Sequence, residues 1–265
     1  MMAADSALGL GGDAVHVWIA QPDRVRDAAL LSRYQALLSD EERAKCAGYR
    51  LQRDRHTQLV SRALLRVALS HYAEVAPRHW RFRGDSHGKP RLEDDRHGLR
   101  FNLSHTRGMV VCAVAREREL GVDVQIADPH VDMQSIARRF FSAREQRDMG
   151  SLPAAARPGR FFDLWALKEA YMKAAGLGFD MAMEDIGCHL AEGATVAGVF
   201  ADISLTVSEP GASEPEYRHC WLAYPDEERR IALCVRSADP KPPALSFYHC
   251  VPLVFAQPAA LPLEG

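Results

Sequence analysis

Phe161-Phe-Asp-Leu-Trp-Ala-Leu-Lys-Glu-Ala-Tyr-Met-Lys-Ala-Ala-Gly176 carries apolar side chains nearly all the way round a helical wheel. That is the pattern of a helix enclosed on most sides. Pro158-Gly159 precedes the run, neither Pro nor Gly interrupts it, and Gly176 and Gly178 supply its stop. Yet Lys168, Glu169 and Lys173 lie in its middle. Charges on an enclosed helix are costly unless something pairs with them. A Glu169–Lys173 pair at i,i+4 is worth only about 0.2–0.5 kcal/mol on an exposed face, and it sits poorly beside so much apolar surface. The sharper reading is a carboxylate and two ammonium groups converging on an anion and its metal.

Working outward, Leu120-Gly-Val-Asp-Val-Gln-Ile126 has the cleanest strand alternation in the chain. It places Asp123 and Gln125 on one side of one strand, roughly 7 Å apart. Asp is depleted in strands, so a carboxylate in the middle of this one requires a reason. Gly121 leaves room beside it for a ligand or another backbone. Asp123 and Glu169 are then two acidic oxygen ligands from different elements. Such a donor set suits Mg²⁺, which keeps several waters and takes its remaining positions from a phosphate. Lys168, Lys173, Lys89 and an Arg-rich helix would neutralise further phosphate charge, as phosphoryl transfer demands.

The remaining elements frame this pair. Residues 1–14 are small and Gly-rich and are expected to fray. A strand is expected over 15–20, a helix over 23–38, and a capping box at Ser39-Asp-Glu-Glu42 opens another helix. A long amphipathic helix follows over 53–73, lined by Arg53, Arg55, Arg62 and Arg66, each of which taken singly reads as part of a solvated face. Trp80–Arg83 alternates like a strand, and Gly84-Asp-Ser-His-Gly-Lys-Pro90 is a turn with Lys89 at its far edge. From Leu99 to Ser104 the alternation puts Arg100, Asn102 and Ser104 on one face. His105-Thr-Arg-Gly108 breaks that strand, Met109–Ala115 is apolar enough for a central strand, and Arg116–Glu119 reads as a charged hairpin tip. Helix is expected over 132–148, a Pro/Gly/Ala-rich connection over 150–159, and short strands near 203–207, 218–224 and 230–236. The Pro-rich stretch 237–265 reads as a tail or surface extension.

Of 265 residues, 47% are hydrophobic and 26% charged, with a formal net charge of −2. These are the proportions of a soluble globular protein, and nothing global suggests nucleic acid or a membrane. Locally, residues 41–110 hold 15 Lys and Arg against 8 Asp and Glu, leaving −9 for the rest. Basicity confined to one stretch points to a small anionic ligand. The six cysteines show no CxxC pair, and Cys112 and Cys234 lie in apolar runs. With neither a signal peptide nor a membrane-spanning run, the cytosol is the simplest compartment and free thiols the expected state.

Two other readings compete. Ser104-His105 with Asp123 invites a serine-nucleophile triad, but neighbours on a strand face opposite ways and no G-x-S-x-G elbow is present. A polar cluster that merely fixes the core would rarely collect so many cations. No Walker motif, G-x-G-x-x-G after a strand, or H-E-x-x-H occurs, which disfavours nucleotide hydrolases, dinucleotide enzymes and zincins.

Gly88-Lys-Pro90, Phe101-Asn-Leu-Ser-His-Thr106, Gly121-Val-Asp123 and Trp165-Ala-Leu-Lys-Glu-Ala-Tyr-Met-Lys-Ala-Ala-Gly176 stand in an order and spacing that resemble the 4′-phosphopantetheinyl transferases. Chain length, Arg53-Asp54 and Ser61-Arg-Ala-Leu-Leu-Arg66 resemble the long, Sfp-type branch. The resemblance covers roughly residues 39–178; residues 186–265 are not diagnostic. It implies an α+β fold, a pseudo-twofold pair of subdomains, each a small antiparallel sheet packed on a long helix. The halves would be 1–119, basic and binding coenzyme A, and 120–240, binding the metal, with a tail over 241–265.

The resemblance also implies transfer of the phosphopantetheine arm of coenzyme A to a serine of an apo acyl or peptidyl carrier protein of a fatty acid, polyketide or nonribosomal peptide synthase. The alternative is a non-catalytic protein that binds coenzyme A or a carrier. Carried over by position, Asp123 and Glu169 hold Mg²⁺, with Gln125 as a third, weak neutral ligand or a holder of metal water. Glu169 takes the proton from the carrier serine and Lys173 stabilises the diphosphate. His105 joins them in the catalytic set and, with Asn102 and Ser104, binds phosphate. Arg53, Lys89 and Lys168 line the nucleotide pocket. Many relatives have Glu where this chain has Gln125, which removes one negative charge from the metal site. The chain is expected to be a cytosolic monomer.

Overall fold

Alternating Val, Trp and Ile residues near the N-terminus form β1, Ala14–Ala20. In the computed structural model, which describes residues 8–176, 182–190, 198–200, 203–207 and 217–261, three helices follow: α1 (Ala28–Leu37), α2 (Asp40–Ala47) and α3 (Gln52–Ser70). Then come β2 (Phe82–Gly84), β3 (Pro90–Leu92), β4 (Leu99–Thr106), β5 (Met109–Arg116) and β6 (Leu120–Ile126). Helices α4 (Met133–Phe140), α5 (Ala143–Ser151) and α6 (Arg157–Ala175) precede β7 (Ile186–Leu190), β8 (Val199–Phe200) and β9 (Ile203–Val207). The chain continues with β10 (Tyr217–Ala223), β11 (Arg229–Ser237), β12 (Ala244–Val251) and β13 (Phe255–Pro258). The fold is α+β. Of residues 1–14, expected to fray, 1–7 lie outside the described residues, as does the stop at Gly178, whereas Leu10 is buried and its carbonyl accepts from Arg116. No helix among the described residues is long and apolar enough to cross a membrane.

Two compact units arise. The first takes residues 1–85, 90–117 and 243–259. Its five-stranded sheet runs β13-β12-β1-β5-β4, with β5 paired on both edges as its unbroken apolar sequence requires. The sheet is mixed, not antiparallel, because β1 pairs in parallel with β12, Ala14 facing Ala244 through Ile19 facing His249. The stretch expected as a tail therefore supplies β12 and β13. Its prolines obscure an alternating segment that fills an interior position of the sheet. Helix α3 covers this sheet with Val60, Ala63, Leu64 and Val67 buried. Arg66 departs from the solvated-face expectation: only 1% exposed, its guanidinium donates to Pro77 O and Trp80 O and pairs with Glu42. Glu42 also accepts from Ser39 N in the capping box that starts α2, so one carboxylate ties two helices together.

The second unit takes residues 86–89, 118–242 and 260–265. Its four-stranded antiparallel sheet runs β6-β11-β10-β8, and α6 lies across it. The helix is enclosed as its sequence demands: Phe161, Phe162, Leu164, Leu167 and Tyr171 are buried, and Gly176 ends it in the left-handed conformation at φ 69°. The charged segment 116–119 is not a hairpin tip, because β5 and β6 belong to different sheets. The helix expected over 132–148 is two, broken where Ser142 and Glu145 form a second capping box at the start of α5.

Candidate active site

Gly121 determines how closely α6 approaches β6. A Cβ there would fall 2.1 Å from Ala170 O and 2.4 Å from Ala174 N. With no side chain in the way, the helix backbone rests on the strand. Residues two and four positions along β6 from Gly121 share its face, so Asp123 and Gln125 are turned toward α6.

Asp123 is 3% exposed, and both its oxygens are engaged. Lys173 Nζ donates to Oδ1 at 2.5 Å and also to Val122 O at 3.3 Å. Gln125 Nε2 donates to Oδ2 at 2.7 Å. An amide ligates a metal through its oxygen, so Gln125 in this arrangement braces the carboxylate. Glu169, one helical turn before Lys173, accepts no hydrogen bond and makes no ion pair among the described residues. Burial raises its pKa, the neighbouring Asp123 carboxylate raises it further, and Lys173 opposes them. Two carboxylates thus lie close to one ammonium group, and among the described residues only Asp123 is hydrogen-bonded to it. That is a donor set a hard divalent cation fits. Among the described residues no three His, Cys, Asp or Glu side chains converge, so such a cation would take its remaining ligands from water or a bound anion.

Lys168 corrects an expectation. It lines no ligand pocket: it is 0% exposed, and its Nζ pairs with Glu145 at 2.9 Å, donates to Met183 O at 2.8 Å and to Ile186 O, and lies over the Phe141 ring. Glu145 in turn accepts from Ser142 N and Cys188 N. The pair fastens α6 to the start of α5 and to β7. Consecutive residues of a helix point about 100° apart, so Lys168 turns away from the face on which Glu169 meets Asp123. Lys89 Nζ pairs with Glu119 at 3.1 Å and donates to Leu120 O, at the start of β6.

In the first unit, Asn102 and Ser104 are buried on β4 and His105 is exposed at its end. His105 Nε2 lies 3.3 Å from Gln58 Nε2 on α3. Gln58 is 8% exposed, a residue sequence reasoning passed over; its signal was a lone polar side chain on the apolar face of α3. Arg53 is largely exposed and lies 3.5 Å from Asp54. A Ser104-His105-Asp123 triad gains no support, since Lys173 and Gln125 occupy both oxygens of Asp123.

Strand and enclosed helix together define an α+β arrangement in which two carboxylates and an ammonium group come together on one strand–helix face. Comparison with known proteins is consistent and more specific. Residues 119–234 match the 4′-phosphopantetheinyl transferase superfamily, and residues 27–117 match the 4′-phosphopantetheinyl transferase N-terminal region. The 4′-phosphopantetheinyl transferase HetI of Nostoc sp. is 37% identical over 177 residues, covering 64% of this chain and 72% of that protein. The 4′-phosphopantetheinyl transferase Sfp of Bacillus subtilis is 29% identical over 209 residues, covering 78% and 86%. The chain belongs to the 4′-phosphopantetheinyl transferase family.

Proposed function

We infer that this chain transfers the 4′-phosphopantetheine arm of coenzyme A to a serine of an apo carrier protein, with Mg²⁺ as the metal. Family membership supports the reaction. Within the site, the observation that carries the reading is the Glu169 carboxylate beside Asp123, free of hydrogen bonds among the described residues. The serine oxygen forms a bond to the phosphorus bearing pantetheine, and the bond from that phosphorus to the bridging oxygen of the diphosphate breaks. The electron pair leaves with adenosine 3′,5′-bisphosphate, and the serine proton passes to Glu169. A carboxylate whose pKa burial raises is a stronger base than an ordinary one, which suits that role.

Asp123 and Glu169 are the residues to hold Mg²⁺, which when bound offsets diphosphate charge and polarises the phosphoryl oxygen. Gln125 keeps Asp123 oriented. Lys173 meets charge developing on the diphosphate, and Lys89 adds a cation near β6. From the resemblance, Asn102, Ser104, His105 and Arg53 are expected to bind phosphate and nucleotide, and Gln58 lies beside His105. The pseudo-twofold relation of the halves, a monomeric state and a cytosolic setting belong to this proposal as expectations from the resemblance.

Intact mass of an apo carrier protein, incubated with this enzyme, coenzyme A and Mg²⁺, tests the reading. A gain of one phosphopantetheine, abolished by EDTA and by Glu169→Ala, is the expected result. Coenzyme A binding without any gain across several carrier types would leave a binding protein. Absence of both would remove the assignment.

A further inference from the structure

Asp123 presents an obstacle to the cation it is meant to hold. Its carboxylate is enclosed, Lys173 sits on Oδ1 at 2.5 Å, and Gln125 sits on Oδ2 at 2.7 Å. A hard cation must approach one of these oxygens to about 2.0–2.1 Å. An ammonium group still resting on the same carboxylate would then lie within about 4 Å of a doubly charged ion, where repulsion is strong. Gln125 is neutral and feels little of this. Lys173 is the group that must yield, and its side chain is 28% exposed.

We propose that Lys173 serves twice. Before the metal arrives it is the resident cation of Asp123, and metal binding expels it from that carboxylate and frees its ammonium group for phosphate. The inference rests on the reading above and adds an order of events to it. As the resident cation, Lys173 keeps Asp123 oriented when the metal is absent. Once displaced, it remains one helical turn from Glu169 and beside the new metal, where a diphosphate would bind. Metal and diphosphate binding therefore reinforce each other, since each favours the state in which Lys173 has left Asp123, and by linkage the coupling is reciprocal. With an amide at position 125, Lys173 releases the only carboxylate that the middle of β6 offers.

The chain has five lysines, at 45, 89, 168, 173 and 241, which makes the test clean. The full-length protein is pulsed with acetic anhydride in EDTA and in MgCl₂, without coenzyme A, and each lysine is quantified by peptide mass spectrometry. Acetylation of Lys173 should rise severalfold with Mg²⁺. Exposed Lys45 and Lys241 should not change, and enclosed Lys168 should stay unmodified in both conditions. By calorimetry Lys173→Met should bind Mg²⁺ about tenfold more tightly than the natural protein, as for loss of one partly screened charge.

A simple charge effect would tighten binding without changing Lys173 reactivity, so acetylation decides the matter. The inference is overturned if Lys173 acetylation is unchanged or falls at Mg²⁺ concentrations that calorimetry shows to fill the site. It is also overturned if the natural protein binds no Mg²⁺, whatever Lys173→Met does. Carrier modification measured on the same natural preparation separates the two levels. Intact transfer with an immobile Lys173 removes only the displacement, whereas absence of transfer removes the function.

Discussion

Replacing Gly121 with alanine should damage catalysis through geometry alone. The added methyl would lie 2.1 Å from Ala170 O, 2.4 Å from Ala174 N and 2.8 Å from the Lys173 carbonyl carbon. These are helix backbone atoms, so no flexible side chain can swing aside. A carbon-to-oxygen contact relaxes at about 3.3 Å, so α6 must retreat from β6 by about 1 Å. Overpacking of this kind costs about 1–3 kcal/mol, and each kcal/mol lowers Tm by about 2–4 °C in a protein of this size. The same retreat separates Glu169 and Lys173 from Asp123. A misplacement of about 1 Å costs roughly a hundredfold in rate. Carrier modification followed by intact mass, alongside thermal unfolding, measures both. Gly159→Ala is the control: it lies in the first turn of α6 with nothing within 4 Å of the added carbon, and it should leave the rate unchanged. A Gly121→Ala enzyme with the natural rate and Tm would refute the claim that close approach of α6 builds the site.

Three further outcomes are expected. Lys168→Met strands Glu145 in a buried position and should cost about 3–5 kcal/mol in urea unfolding; Lys168→Met with Glu145→Gln should recover part of this, and simple additivity would show that the two are not a coupled pair. Deleting residues 243–265 removes β12 and β13, so amide exchange should show loss of protection in β1 with retention in β6 and β11; intact protection of β1 would deny its dependence on β12. Burial holds the His16 imidazole below its ordinary pKa, with Tyr72 Oη at 2.9 Å from Nδ1. A lowered folded-state value favours the neutral form, so this contribution is complete above about 6.5 and is lost as pH falls through the lowered value. His71 and His249 shift the same way, so His16→Gln should flatten, not abolish, the acid limb of unfolding followed by Trp18 fluorescence; an unaltered limb would remove His16 from the account.

What was legible in the sequence was local. The alternation of 120–126 placed Asp123 and Gln125 on one strand face, and the apolar wheel of α6 marked an enclosed helix, because both depend on short-range periodicity. The partner of Lys168 was not legible. Glu145 lies 23 positions earlier on another helix, and only its capping-box spacing after Ser142 distinguished it. Periodicity says that a charge is enclosed but not what encloses it, so a structural lysine was expected at the ligand. Strand β12 was missed for a different reason: its prolines lie just outside Ala244–Val251, and composition taken over a window hid the strand between them. Arg66 shows the same limit, since one arginine among four on a helix looks solvated until Glu42 and two carbonyl groups are brought to it.

The pairing of β1 with β12 reverses the order in which this protein can be completed. Ala14 and Ala244 face each other across 230 positions of chain, whereas residues 118–242 of the second unit form one continuous stretch. On the ribosome, at about 5–20 residues per second, the half made first waits for the half made second and then for β12. Its partly built sheet, with Val15, Val17 and Ile19 committed to burial, stays open on one edge throughout. Closing so long a loop also slows refolding from denaturant relative to the contiguous unit. The earliest-made strand is thus among the last to be secured, and a nascent chain stalled before residue 244 leaves the contiguous stretch 118–242 joined to an unfinished sheet.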